Sequence, residues 1–316
     1  MSNLEIMNLT DLRVFASAAR QPSLAAAASE LHLTPSAVSK ALRRLEESLE
    51  TVLFDRSAKQ LVLNDSGRRL LERARTLLAL ADQTRADVMG QRSTLDCRLG
   101  GPALLLWRHG CDAAEALRDW PDATLRMQAM FEDDALGALA RGDISGAIVT
   151  SAAIEGRGAH WSTEWEATSL GELSLQLVAG KGHPLVKGRR TKSGVFEADS
   201  DTVLAHAFAC PPHSLFCGVQ RGTRSDGWRD DQLPRRIRYW TDDLQLLLGF
   251  VKRGEALAYL PDFALEDPDL VRIHVRDCAF RCTEQAWLVW DRAHAAQWQH
   301  QFAAKLSAAS ANAEVA

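Results

Sequence analysis

The chain has 316 residues, 37 Lys or Arg against 41 Asp or Glu (formal net charge −4), and 46% hydrophobic residues. This is ordinary globular composition with chain enough for two or three domains, and it excludes a fibrous or largely disordered protein. Residues 1–92 carry 13 basic and 11 acidic side chains while the remainder carries 24 and 30, so a weakly basic head precedes an acidic body unsuited to adhering to nucleic acid through its own surface.

Leu12, Phe15, Ala16 and Ala19 draw one helical stripe, and after the break at Gln21-Pro22 a second follows in Leu24, Ala27, Ala28 and Leu31, with Ser23 as its cap. The stretch LHLTPSAVSKALRRLEE (31–47) predicts a third helix, since Thr34 can cap it and Pro35 suits its first position. Val38, Ala41, Leu42, Leu45 and Leu49 form its apolar stripe, while Ser36, Ser39, Lys40 and Arg43 share another face. In an isolated helix such a face is ordinarily just solvated. Two short helices and a short loop upstream make the unit a helix-turn-helix, which turns that face toward the DNA major groove. Serine hydroxyls near the helix start permit close approach, Lys40 and Arg43 can reach guanine edges or backbone oxygens, and Pro35 can touch thymine methyls. Ser23, Thr34, Pro35, Ser36, Ser39, Lys40 and Arg43 are therefore the expected DNA contacts.

LFDRSAKQLVL (53–63) has β-type ends around a polar middle, a hairpin that would serve as a wing. Arg56 and Lys59 would contact phosphate or the minor groove from it, unless Arg56 pairs with Asp55 or Glu50 instead. From residue 64 to about 90 a long helix is expected, capped by Asn64 or Ser66, with Leu70, Ala74, Leu77 and Ala81 spaced as a coiled-coil dimer seam. The alternative is an amphipathic helix packed on its own chain.

Beyond residue 95, β-like runs alternate with helical ones. LDCRLGG, ATLRMQAM, SGAIVTS, LSLQLVAG, VLAHAFAC, RIRYW, ALAYLP, LVRIHV and EQAWLVW are strand candidates, and 108–119, 133–141, 243–253 and 292–307 the clearer helices. The alternation predicts an α/β architecture with largely parallel sheets. Strand-end positions nominate Pro102, Ala103, Phe131, Thr150, Ser151, Ser214 and Thr241 as lining a small-molecule pocket, against the plain reading of loop and cap residues.

The six cysteines include no CxxC pair, so no metal is expected, and a reduced, core-filling role fits most of them. An enzyme could draw a nucleophile and base from His109 and Cys111 or from Cys210 and His213, but neither pair sits in an activating motif and no catalytic residue is assigned.

The run from Asn8 to Arg75, including LTPSAVS, the RRLEE after it, LFDR at the wing and LNDSG at the next helix start, resembles the N-terminal domain of the LysR-type transcriptional regulators. GKGHPL (180–185) and ALAYLP (256–261) match that family's C-terminal pattern more loosely. The resemblance implies a winged helix-turn-helix over 1–63 and a linker helix over 64–92 that dimerises. It further implies an effector-binding region over 93–308, formed by two periplasmic-binding-protein-like α/β subdomains joined by crossing strands, with 309–316 read as a flexible tail. It implies a sequence-specific regulator that binds double-stranded DNA and itself, as a dimer or dimer of dimers. RNA polymerase is a further candidate partner, an unidentified small effector sits between the subdomains, and no cofactor is involved. Cys210 and Cys217, on a strand and the loop after it, are where an oxidant-sensing alternative implied by the family resemblance would fall. A cytoplasmic location is expected, because no apolar run approaches a membrane span and MSNLEIMNLTDLR lacks a signal-peptide pattern. The missing export signal also argues against a solute-binding protein of the same C-terminal fold. Two departures stand out. Ser145 occupies the place where the family often has Asp, and GGPALLLW lacks the Ser or Thr usual after the first strand, which predicts a more apolar pocket or one using backbone N–H groups.

Overall fold

Four helices and a two-stranded antiparallel pair build the first unit. α1 (Leu9–Ala18) is capped by Asn8, α2 (Leu24–Glu30) by Ser23, and α3 (Pro35–Ser48) by Thr34, whose hydroxyl accepts from the Ala37 N–H at 3.2 Å with Pro35 in the first turn. Their apolar stripes meet in one core centred on Leu12, Phe15, Ala27, Val38 and Leu45, all essentially solvent-free. β1 (Phe54–Asp55) and β2 (Val62–Leu63) pair antiparallel, as a wing requires, and Arg56 and Lys59 lie outside the described residues. The computed structural model describes residues 7–55, 62–88, 95–156, 161–188, 195–218, 226–293 and 295–313. It divides into two compact units, Met1–Thr94 and Leu95–Ala316.

α4 (Asp65–Val88) starts at Asn64, whose side-chain oxygen accepts from the Gly67 N–H at 2.9 Å while its amide donates to the Val52 carbonyl at 2.7 Å. Gly67 is required there because a Cβ would stand 2.2 Å from the Leu53 carbonyl oxygen. The expected dimer seam needs a correction. Ala74 is fully buried in the unit's own core beside Leu71, and Leu70 and Leu78 pack against that core, so the first turns of the apolar face are covered by α1 and its neighbours. Of the other expected seam residues, Leu77 is 40% exposed and faces outward, and Ala81 is half-buried.

The second unit comprises, in order, β3 (Asp96–Gly101), α5 (Ala103–Ala116), β4 (Thr124–Ala129), α6 (Glu132–Arg141), β5 (Gly146–Thr150), α7 (Ser151–Glu155), β6 (Trp165–Gly180), β7 (Val195–Ala198), α8 (Ser200–Leu204), β8 (Ala207–Cys210), β9 (Arg236–Trp240), α9 (Leu244–Lys252), β10 (Ala258–Pro261), β11 (Leu270–Val275), β12 (Cys282–Asp291) and α10 (Gln297–Ala313). The main sheet runs β4-β3-β5-β12-β6-β11-β7, with β10 also on β6. Parallel pairs lie toward its two ends, β3 with β4 and β5, and β7 with β11, whereas β12 is antiparallel to β5 and β6, and β10 and β11 to β6. The expectation of largely parallel sheets gives way to a mixed sheet, because two long strands cross its middle. β6 places Leu170 and Leu173 in a core with Leu105, Ile148 and Leu288, then Leu175 and Leu177 in another with Phe208 and Leu257. One strand thus passes between two halves. The parallel pair β8-β9 meets the residue just before β10 through an isolated Phe208–Leu257 bridge.

Several boundaries move. The first helix of this unit begins at Ala103 rather than 108, and VLAHAFAC divides between α8 and β8. The helix expected over 292–307 is α10 (Gln297–Ala313), which replaces the expected flexible tail as far as Ala313 and buries Ser310; residues 314–316 lie outside the described residues. Among the described residues no helix is long and apolar enough to cross a membrane.

Candidate nucleic-acid interface and strand-end cluster

α3 buries Val38, Ala41, Leu42 and Leu45, which turns the remaining circumference outward. Thr34, Pro35, Ser36, Ser39, Lys40 and Arg43 are all exposed there, and Ser23 lies at the start of α2. The Thr34 and Ser36 hydroxyls are 3.0 Å apart, while Ser39, Lys40 and Arg43 hold no partner among the described residues. This face is chemically uncommitted. It offers two cations and two hydroxyls within about two turns of helix, the spacing a groove reader needs.

The opposite side is heavily committed. Asp11, buried on α1, accepts two bonds from Arg44, at 2.6 Å from Nη2 and 3.1 Å from Nε, which fixes how α3 is rotated on α1. That bonding also raises the guanidinium's affinity for its proton. At the end of α2, Glu30 accepts from the Ser17 hydroxyl (2.7 Å), Arg20 (2.8 Å) and Gln21 (3.0 Å), and the Ser17 bond leads in holding its carboxyl below the usual range. Glu46 accepts from the Leu53 N–H at 2.7 Å and ties the wing's first strand to α3. Arg44, Asp11, Glu30 and Glu46 escaped the sequence reading. The one available signal was Asp11 beside Leu12 at the start of an apolar stripe.

In the second unit, Pro102, Ala103, Phe131, Thr150 and Ser151 stand at the ends of three adjacent parallel strands, β3, β4 and β5. The 214–218 turn comes to them: the Glu132 N–H donates to the Phe216 carbonyl at 3.2 Å, and Gly218, at φ +67°, has room for no Cβ because the Phe131 ring would lie 2.5 Å from it. Six of the seven nominated residues thus converge. The seventh, Thr241, sits beside β8, its N–H bonded to the Cys210 carbonyl at 3.2 Å.

The hydroxyls in this cluster already hold hydrogen bonds within the unit. Thr150 is buried, and its N–H and hydroxyl both donate to Glu132 Oε1, at 2.7 and 2.5 Å. Ser151 Oγ accepts from the Trp287 indole at 2.9 Å, Ser214 Oγ from the Phe216 and Cys217 N–H groups, and Thr241 Oγ1 from the Asp243 N–H. Phe131 and Ala103 are the exposed members. Ser145, where Asp was expected, accepts from the Arg98 N–H at 3.2 Å and so ties the β5 approach to β3.

Two cavities are defined elsewhere in this unit, and none of the seven residues lines either. A small one lies among Leu99, Leu288, Trp298 and Phe302; the other, about 250 Å³, adjoins β6 and β11. Cys210 is fully buried, its sulfur 3.5 Å from Asp226 and 3.6 Å from Arg235. Arg235 is itself enclosed and bonded to Asp226 and Asp230, so this thiol belongs to a packed ionic network. His109 is buried with Nδ1 3.4 Å from the Ser310 hydroxyl, and burial pulls its pKa down to about 4, whereas Cys111 is exposed.

Comparison with known proteins gives matches at both ends of the chain. Residues 9–68 match the bacterial regulatory helix-turn-helix proteins of the lysR family, and residues 113–306 match the LysR substrate binding domain. The probable HTH-type transcriptional regulator YhaJ of Escherichia coli K12 is 45% identical over 87 residues, a stretch amounting to 28% of this chain and 29% of that relative. Among solved structures, full-length LysG of Corynebacterium glutamicum with bound effector Arg aligns over 97% of this chain and 99% of its own, with TM-score 0.62 and 18% identity. ArgP of Mycobacterium tuberculosis aligns over 95% and 96%, with TM-score 0.61 and 19% identity. At such identities the likeness concerns the fold.

Proposed function

This chain belongs to the LysR family of bacterial DNA-binding transcriptional regulators and is not an enzyme, and we propose that it reads its operator through Ser36, Ser39, Lys40 and Arg43 of α3, with the wing adding phosphate contacts through Arg56 and Lys59. The observation that carries this reading is the division of α3 into a buried stripe, held in place by the Asp11–Arg44 bonds, and an outer face on which Ser39, Lys40 and Arg43 hold no partner among the described residues. A gel-shift against DNA upstream of the protein's own and neighbouring genes tests it. Arg43→Ala is expected to weaken specific binding by about 1–3 kcal/mol if Arg43 reads a base. Unchanged affinity and sequence preference in that variant would remove the assignment.

The working unit in this proposal is a dimer or a dimer of dimers, because one recognition helix covers too few base pairs for useful specificity. Leu77 supports a helix contact between heads, and the exposed Trp240 and Leu246 support a further one between bodies. A small effector is proposed at the strand-end cluster, received by Phe131, Ala103 and backbone groups, since the nearby hydroxyls are engaged in fixed bonds. Acting from there, it changes the DNA only by favouring one arrangement of the assembly over another. LysG's effector is Arg by its own description, whereas the apolar, exposed Phe131 here suits a less polar compound. Footprinting with and without added metabolites checks this half of the reading.

A further inference from the structure

Between β11 and β12 the chain leaves the sheet and returns to the place it left. Ile273 pairs with Leu177 of β6, β11 ends two residues later, and Cys282 opens β12 opposite Leu175. β10 occupies the other edge of β6 from Leu175 to Val178, so β11 and β12 share one edge and residues 276–281 form an excursion between them. The cavity of about 250 Å³ lies beside this excursion, just where β6 passes from the first core to the second. It is slightly below the roughly 300–1,000 Å³ typical of small-molecule pockets.

Its lining is aromatic and cationic. Phe280 and Trp228 supply flat apolar surface, and Arg229, Arg272 and Arg281 supply guanidinium groups, against the single carboxylate of Glu172. Arg229 is bonded to Asp231 and lies 5.4 Å over the Phe280 ring. The other two are different. The Arg272 Nε is buried without a hydrogen-bond partner, and neither Arg272 nor Arg281 has an ion-pair partner among the described residues. A buried guanidinium N–H left unbonded costs free energy that an oxyanion would recover, and the planar fork of arginine matches carboxylate and phosphate oxygens.

We propose that this cavity is an accessory site for a small organic anion, a carboxylate or phosphate monoester whose head bonds Arg272 and Arg281 and whose flat apolar body lies against Phe280 and Trp228. The site is independent of the DNA reading and shares no residue with the strand-end cluster. A ligand held there ties the 276–281 excursion to β11 at the crossover between the two halves.

Calorimetric titration of the full-length protein with phenyl phosphate, benzoate and inorganic phosphate tests the site. Saturable binding of phenyl phosphate or benzoate is expected, with inorganic phosphate at least tenfold weaker and the two organic anions telling phosphate from carboxylate preference. Arg281→Ala and Arg272→Gln are each expected to weaken binding at least tenfold. Arg281 is exposed, so its variant should keep the wild-type unfolding temperature without ligand. Ser151→Ala, in the strand-end cluster, should bind as the wild type does. The proposal is overturned if no titration saturates, if both arginine variants bind unchanged, or if inorganic phosphate binds as tightly as phenyl phosphate. Loss of binding in Ser151→Ala alone would overturn it too, while supporting the effector site proposed at the strand ends.

Discussion

The recognition face of the head and the strand-end cluster of the body use similar residues, a few hydroxyls and a few charges, in opposite ways. On α3, Ser39, Lys40 and Arg43 point to solvent without internal partners, and the binding of the helix to its own unit is handled from behind by Asp11 and Arg44. In the body, Thr150 and Ser151 hold distant parts of the chain, while Ser214 and Thr241 close their own turns. Polar groups that are free can meet a partner whose identity varies; polar groups that are engaged define a shape and leave recognition to what surrounds them. The head is thereby a reader made of side chains, and the strand-end cluster a frame whose exposed side chains are Phe131 and Ala103.

The comparison breaks most decisively at assembly. Leu77→Asp is expected to separate the heads and lower operator affinity at least about a hundredfold through lost bivalency, leaving the body folded. Sedimentation and footprinting check it, and a monomer that still protected a full two-part operator would refute the dimer. A smaller effect comes from acid. His109 and His183 are buried, and burial holds each near a pKa of about 4, against about 6.5 in the unfolded chain. Between those values the unfolded state binds more protons, so stability falls as pH falls through that window, by roughly 2 kcal/mol per histidine at pH 5. Thermal unfolding of the wild type and His109→Gln from pH 7 to pH 5 should show the variant losing less. Next, Thr150→Val removes a donor from buried Glu132 and is expected to cost the body about 1–3 kcal/mol by denaturant unfolding, without moving the head's sequence preference. Smallest is the wing: Arg56→Ala should reduce the salt slope of operator binding by about 0.9 per lost phosphate contact, whereas an unaltered slope favours an ion pair within the hairpin.

The head was legible because its signals are local. Ser23, Thr34, Pro35 and Asn64 act within a few residues of themselves, and the apolar stripes of α1 to α3 show which faces are buried. What escaped was set by pairing across the chain. β6 begins eight residues before the apolar run at Leu173, since WEATSLGE is held as strand by its ladder with β12 rather than by its own propensity. Ala74 reads as a seam residue by spacing alone, and only the position of α1 reveals that it faces inward. The Ala/Ser-rich end of α10 reads as a loose tail, yet alanine favours helix and Ser310 packs on His109 some two hundred positions earlier. The strand-end residues were found by topology, while their hydroxyl partners, such as Glu132 for Thr150, were not.

The division of labour on α3 has a consequence for descent. Ser39, Lys40 and Arg43 support nothing else in the head, so codons at these positions can change with little effect on folding, and a duplicated gene could acquire new targets through a handful of substitutions. Asp11 and Arg44 lack that latitude, because their bond sets the angle at which every newly installed side chain is delivered. Divergence of regulatory targets would then proceed on one side of a single helix while the other side stays unaltered.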